Sequence, residues 1–133
     1  MAGFLLDSTV LIDYLRGHSE VVAKLDVLLE EGQKLGICAI NVAEVFAGMR
    51  DREREATGKW LSSLDWFDIS YEVAQEAGEW RGRLRRSGKN ADLTDVIIGC
   101  AARKNDAVLL TDNVKDFPLP GLQVERLPAT RRR

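Results

Sequence analysis

Histidine occurs once in 133 residues, cysteine twice and proline three times, and each scarcity closes off a class of chemistry. The single histidine, His18, sits in a loop-like stretch with no paired Ser or Cys motif, which removes acyl-transfer triads. Cys38 and Cys100 lie in the apolar contexts Gly-Ile-Cys-Ala and Ile-Gly-Cys-Ala and form no CxxC pair. Zinc and dithiol chemistry therefore lack their ligands, and the two thiols read as small core residues. All three prolines fall at or beyond Pro118, and no linker, repeat or low-complexity tract divides the chain. GxGxxG and GxxxxGK[ST] are absent, so dinucleotide binding and P-loop nucleotide hydrolysis have no signature. No apolar run approaches the ~20 residues of a membrane span. The apolar opening Met1–Leu6 is cut off by Asp7 and lacks the basic flank and cleavage site of a signal peptide, which predicts a cytoplasmic protein. A net charge of −2, from 21 acids and 19 bases, does not mark the whole chain as a nucleic-acid binder. Any such role must come from local patches.

What is present is the balance of a globular domain, with 45% hydrophobic and 30% charged residues, at a length that suits one core and leaves little room for a second. Short apolar runs at Gly3–Leu6, Leu35–Ala39, Trp66–Ile69 and Ala107–Thr111, with a weaker one at Gln123–Glu125, read as strands. The segments between them are helical in pattern. Ser8–Arg16 could be capped by Ser8, and Val21–Glu31 follows, with Gly17 and Gly32 punctuating the two ends. Asn41 with Glu44 three residues later is the signature of a capping box opening the next helix. Later helices are expected over Arg52–Leu64, Tyr71–Arg86 and Thr94–Lys104. Strands alternating with helices predict an α/β fold: a central, mainly parallel sheet of four or five strands flanked by helices.

In open α/β sheets, functional groups collect at the carboxyl edge, where strands end and helices begin. Several acids fall there. Asp7 ends the first strand, Glu44 lies in the first turn after the second, Asp95 opens a late helix, and Asp112 to Asp116 follow the fourth strand. Like charges brought together raise one another's pKa unless a cation neutralises them. Hard Mg²⁺ or Mn²⁺, with oxygen ligands and retained waters, suits a site of Asp, Glu and Asn. Such an ion lowers the pKa of water and stabilises charge on a phosphodiester under attack, so phosphodiester hydrolysis is the reaction class.

At these residues the chain resembles the PIN domain and, within it, the VapC-like toxins. The resemblance rests on Leu-Leu-Asp7-Ser-Thr-Val-Leu-Ile-Asp13-Tyr-Leu, on Asn41-Val-Ala-Glu44-Val-Phe-Ala-Gly48, on Asp95-Val-Ile-Ile-Gly-Cys-Ala-Ala and on Leu-Leu-Thr111-Asp-Asn113-Val-Lys-Asp116-Phe117. Each block is weak alone, but four in this order are fairly specific. The resemblance implies a single PIN-like domain over residues 1–133, in which 128–133, closing on Arg131–Arg133, reads as a frayed basic tail. It implies an endoribonuclease acting as the toxin of a toxin–antitoxin pair, which hydrolyses RNA with a water activated by Mg²⁺ or Mn²⁺. Asp7, Glu44 and Asp95 would form the acidic core of the metal site, with Ser8 or Thr9 orienting it. Many family members carry an acid where this chain has Asn113, so Asn113 and Asp116 compete to complete the metal shell, and Asp112 ranks last of the three. A VapB-like antitoxin and a homodimer are implied as protein partners.

Each assignment has a plainer counterpart. Asp7 could cap the first helix, the capping box alone would account for Glu44, and Asp95 could only favour the positive end of its helix, worth ~0.3–1 kcal/mol. Asp92 reads as a solvated loop acid and Asp13 as a surface-pairing one. Arg81, Arg83, Arg85, Arg86 and Lys89 precede Asp95 and are the best candidates for holding an RNA backbone, with a solvated helix face the equal alternative. Trp60, Trp66 and Trp80 read as core or interface residues. Val45, Phe46 and Met49, beside the basic stretch Arg50–Arg54, fit either a partner contact or the core. Two rival functions remain: a non-catalytic nucleic-acid-binding or scaffold module, suggested by Asn113, and a phosphoacceptor signalling domain. The second would need paired acids at the first strand end, an Asp after the third strand and a late Lys, whereas Asp7 stands alone and Ser70 follows Ile69.

Overall fold

In the computed structural model, which describes residues 3–127, five strands form one sheet. They are β1 (Phe4–Leu6), β2 (Leu35–Ile37), β3 (Asp65–Trp66), β4 (Val108–Thr111) and β5 (Val124–Arg126). All neighbours pair in parallel, in the order β3-β2-β1-β4-β5. The central strands are apolar but for the Thr that ends β4, Phe-Leu-Leu in β1 and Val-Leu-Leu-Thr in β4, because helices cover both faces of a parallel sheet. Side chains alternate between the two faces. Leu5 and Leu109 enter one core, and Phe4, Leu6 and Leu110 the other.

The helices are α1 (Ser8–Leu15), α2 (Ser19–Glu30), α3 (Ala39–Gly48), α4 (Arg54–Ser62), α5 (Tyr71–Arg86) and α6 (Leu93–Lys104). Val73, Ala77 and Leu84 of α5 and Val96, Ile98 and Ala102 of α6 pack on the Leu5 face. Val10 and Leu11 of α1, Val21, Leu25 and Leu28 of α2, Val45 of α3 and Leu61 of α4 pack on the other. Burying each such aliphatic side chain contributes ~1.5–3 kcal/mol. Gly36 in β2 is required by close approach: a Cβ there would stand 2.1 Å from Cε1 of Phe67. Cys38 and Cys100 are buried free thiols. Among the described residues no helix is long and apolar enough to cross a membrane.

The order of the strands positions the site. The chain steps from β1 to β2 to β3 on one side, then crosses to place β4 and β5 on the other. The reversal falls between β1 and β4, and it opens a crevice at their carboxyl ends, where ligands of open α/β sheets bind. Because α6 is joined by a short turn to the amino end of β4, its own N-terminus lies towards the carboxyl edge. That end of α6 carries Asp95.

Several local expectations are corrected. Asp7, not Ser8, is the N-cap of α1, its Oδ1 accepting the Ser8 N–H at 2.8 Å. The third helix begins at Ala39 rather than at Asn41, so Asn41 is the third residue of its first turn and its Oδ1 accepts the Cys38 N–H at 2.8 Å. Glu44 therefore lies beyond the first turn and is not the acid of a capping box. β3 is only Asp65–Trp66; Phe67 N–H still bonds to Ile37 O at 2.8 Å, but Ser70 then caps α5 through Val73 N–H. The helix expected over Arg52–Leu64 is a 3₁₀ turn, Asp51–Glu53, followed by α4. Asp13 is 2% exposed, not a surface acid, and lies 4.0 Å from His18 Nε2. Residues 128–133, the expected basic tail, lie outside the described residues.

Candidate active site

Asp7 sits at the floor of the crevice, buried, with donors converging on its carboxylate. Oδ2 accepts the Thr111 hydroxyl at 2.8 Å and lies 3.3 Å from that of Thr9, while Oδ1 takes the Ser8 N–H. Thr111 ends β4, and the Asp7 N–H bonds to Leu110 O at 2.9 Å, so the β1–β4 pairing itself sets the carboxylate in place. Burial raises the Asp7 pKa, the Thr111, Ser8 and Thr9 hydrogen bonds oppose the rise, and the charge of Asp112 adds to it.

A second group of acids surrounds Asp95, in the first turn of α6. Its pKa is pushed up to about 7, first by burial and then by the charges of Asp7, Asp116, Asp92 and Glu44. Five carboxylates from four segments thus share one electrostatic neighbourhood, Asp92 and Asp95 both belonging to the start of α6. Glu44 is held by the Ser8 hydroxyl, which donates to its Oε1 at 2.5 Å, and Ser8 Oγ accepts from Asn41 Nδ2 at 2.9 Å. At the exposed rim, Asn113 Nδ2 donates to Asp116 Oδ2 at 2.6 Å, and the Asn113 N–H bonds to Thr111 Oγ1 at 3.0 Å.

Among the described residues no three acidic, histidine or cysteine side chains are already drawn into an ion cage. The donor set is nevertheless all hard oxygen with excess negative charge, and burial together with the neighbouring carboxylates pushes the Asp95 pKa up to about 7. That chemistry fits Mg²⁺ or Mn²⁺, which takes one or two carboxylates and keeps several waters.

The family model of the PIN domain matches residues 4–118, nearly the whole described chain. The chain belongs to the PIN-domain family. Ribonuclease VapC19 of Mycobacterium tuberculosis is 32% identical over 120 residues, covering 90% of this chain and 96% of that protein. Ribonuclease VapC10 of the same organism is 37% identical over 117 residues, 86% of each chain. A solved structure of VapBC2 from Rickettsia felis, bound to a DNA fragment from their promoter, superposes with a TM-score of 0.79 at 25% identity, covering 95% of this chain and 98% of that one.

In this PIN domain the structure draws Asp7, Glu44, Asp95 and Asp116 into one neighbourhood and leaves Asn113 beside Asp116. Asp112, ranked last from the sequence, stands next to the core of the site: its Oδ1 is 3.1 Å from the Thr9 hydroxyl that also faces Asp7. Thr111 and Asn41 were not singled out as site residues at all. The Thr that closes β4 could be found only by knowing that β4 lies beside β1. The basic residues end α5 and enter the loop before α6, which brings them towards the carboxyl edge. Arg83, Arg85, Arg86 and Lys89 are all exposed, and Arg83 also lies over the Trp80 ring at 4.6 Å and 4.0 Å from Glu79. Trp60 stacks on Tyr14 with centroids 4.3 Å apart, and Trp66 is 57% exposed.

Proposed function

We propose that this protein is a cytoplasmic, Mg²⁺- or Mn²⁺-dependent endoribonuclease, the toxin of a toxin–antitoxin pair. The observation that carries the reading is the meeting of five carboxylates at the β1–β4 crevice, where Asp95 is raised to about 7. In a nuclease such a surplus is balanced when a divalent cation binds. Asp7 and Asp95 would hold the cation, Glu44 would reach it directly or through water, and Asp116, tethered by Asn113, would complete the shell from the rim. A bound cation supplies a water of lowered pKa and neutralises charge developing on the phosphodiester.

The residues of the chain supply the rest. Thr111 and the Ser8 N–H donate to Asp7, which orients its buried carboxylate and opposes the rise in pKa that burial causes, and the Thr9 hydroxyl lies between Asp7 and Asp112. Arg85, Arg86 and Lys89 would hold the RNA phosphates, drawing the strand across the carboxyl edge.

The antitoxin would seat in a groove of about 750 Å³ between α1, α3 and α4. Ile12, Leu15, Val45 and Met49 give it an apolar lining, and Arg16, Arg50 and Arg52 give it basic groups. These features suit an amphipathic, acidic segment. The toxin itself would be a homodimer, checked by light scattering of the purified protein.

Cleavage of RNA by the purified protein, abolished by chelation and restored by Mg²⁺ or Mn²⁺, tests the reading. Intact RNA at saturating metal would leave the alternative of a non-catalytic nucleic-acid-binding module.

A further inference from the structure

The geometry points to Asn41 as a positioning residue for Glu44, acting through the hydroxyl of Ser8. Asn41 is completely buried, and a buried carboxamide must find partners for both of its ends. Its Oδ1 accepts the Cys38 N–H at 2.8 Å, which fixes which end is oxygen, since a backbone N–H can only donate. The other end, Nδ2, faces Ser8 Oγ at 2.9 Å and can only donate. Ser8 must therefore accept from Asn41, and its single proton is left for Glu44 Oε1, 2.5 Å away, the short range of a hydroxyl bonded to a carboxylate.

The chain of donors runs one way, from Cys38 N–H through Asn41 and Ser8 to Glu44. Asn41 and Glu44 are three residues apart on α3, so they share a face, and Ser8 reaches across from α1 to join them. Ser8 also gives its backbone N–H to Asp7 Oδ1 at 2.8 Å. One residue thus spans two carboxylates of the site, and Asn41 is the anchor that sets the direction of its hydroxyl. Glu44 is otherwise a long side chain with several rotamers. Pinning Oε1 leaves Oε2 as the atom presented to the crevice. Capping α3 uses only the Oδ1 half of Asn41, so the Nδ2 half has no part in starting the helix.

The inference rests on Glu44 being a cation ligand, and the experiment separates the two. Mn²⁺ binding to the purified protein is followed by electron paramagnetic resonance, with folding checked by circular dichroism. Glu44→Gln tests the underlying reading, and wild-type affinity in that variant overturns it together with the inference. Asn41→Asp keeps the acceptor for Cys38 but turns the donor to Ser8 into an acceptor, which draws the Ser8 proton away from Glu44. The expected result is a Mn²⁺ dissociation constant raised about tenfold, as for other residues that orient metal ligands. The added negative charge alone would act in the opposite direction, so unchanged or tighter binding overturns the inference. Ser8→Ala should weaken Mn²⁺ to a similar degree, Ser8→Thr should restore it, and combining Ser8→Ala with Asn41→Asp should be no worse than the weaker single variant. Should Asn41→Asp fail to fold, Ser8→Ala at wild-type affinity, with Glu44→Gln impaired, overturns the inference by itself.

Discussion

Asn113 and Asp116 are bound to each other, amide to carboxylate, at 2.6 Å across a single 3₁₀ turn. The amide therefore neutralises nothing but holds Asp116 where its charge is felt at Asp95. Replacing it by a carboxylate would put two negative charges in contact. In Asn113→Asp the metal-free protein should lose stability, and a divalent cation should recover more of it than in the wild type, because binding only to the folded state stabilises by mass action. The expected readout is a larger rise in Tm on adding Mg²⁺, with activity reached at a lower metal concentration. Asp116→Ala should shift the metal titration the other way. If neither variant moves it, the site is completed without this turn.

Asp95 makes stability depend on pH in the direction opposite to that of an ion-paired carboxylate. Its pKa is about 7 in the folded protein against an ordinary 3.8, so between those values the folded state binds the extra proton. Stability is then greatest below pH ~4 for this group and falls as pH rises through 7, by up to a few kcal/mol, given ~1.4 kcal/mol per unit. Asp7, also raised, adds in the same direction. In chelator, Tm should be higher at pH 5 than at pH 8, and Mg²⁺ should remove most of the difference. A Tm that climbs with pH in chelator would refute the assignment of Asp95 as the electrostatic centre.

The strands were legible because β1, β2 and β4 are short, largely apolar and largely buried, and the acids because Asp7 ends the first of these runs and Asp95 opens an apolar helix. Strand order was not. Nothing local tells Leu6 that its neighbour is Leu110, yet that pairing is what brings Thr111 to Asp7 and Asp112 to Thr9. The start of α3 was hidden for a different reason: Cys38 is a poor capping residue, so the Asn41 and Glu44 pattern attracted the boundary. Asp13 looked like a surface acid on an amphipathic helix, but α1 is short and covered, and α2 begins within reach of it at His18.

Arg85, Arg86 and Lys89 are exposed at the end of α5 and in the loop that leads into α6, while Arg83 is already engaged by Trp80 and Glu79. Releasing counterions from single-stranded RNA gives a slope of about −0.7 per phosphate contact. Replacing Arg85, Arg86 and Lys89 with alanine should therefore flatten the salt dependence of RNA binding by about 2, whereas Arg83→Ala alone, its guanidinium already over Trp80 and near Glu79, should change it little. Cleavage at saturating RNA should survive. A triple variant with the wild-type slope would make this a solvated helix end.

Asp7→Asn and Asp95→Asn should both reduce RNA cleavage by at least about a hundredfold, since each removes an anionic metal ligand. Their effects on stability should have opposite signs. Asp95 is penalised chiefly by burial and by four neighbouring charges, so the neutral amide relieves repulsion and should raise Tm at pH 8 in chelator. Asp7 is surrounded by donors instead: the Ser8 N–H on Oδ1 and the Thr111 hydroxyl on Oδ2, with Thr9 beside it. However an amide is turned there, its NH₂ meets a donor. Thr111 Oγ1 also accepts from Asn113 N–H, so reversing its proton strains a second contact. A mismatched buried donor costs ~1–3 kcal/mol, which offsets the relief of removing a buried charge. Asp7→Asn should consequently match the wild type in Tm or fall below it. A rise equal to that of Asp95→Asn would mean that the hydrogen bonds around Asp7 contribute little, and that the carboxylate is held in the crevice by the β1–β4 pairing alone.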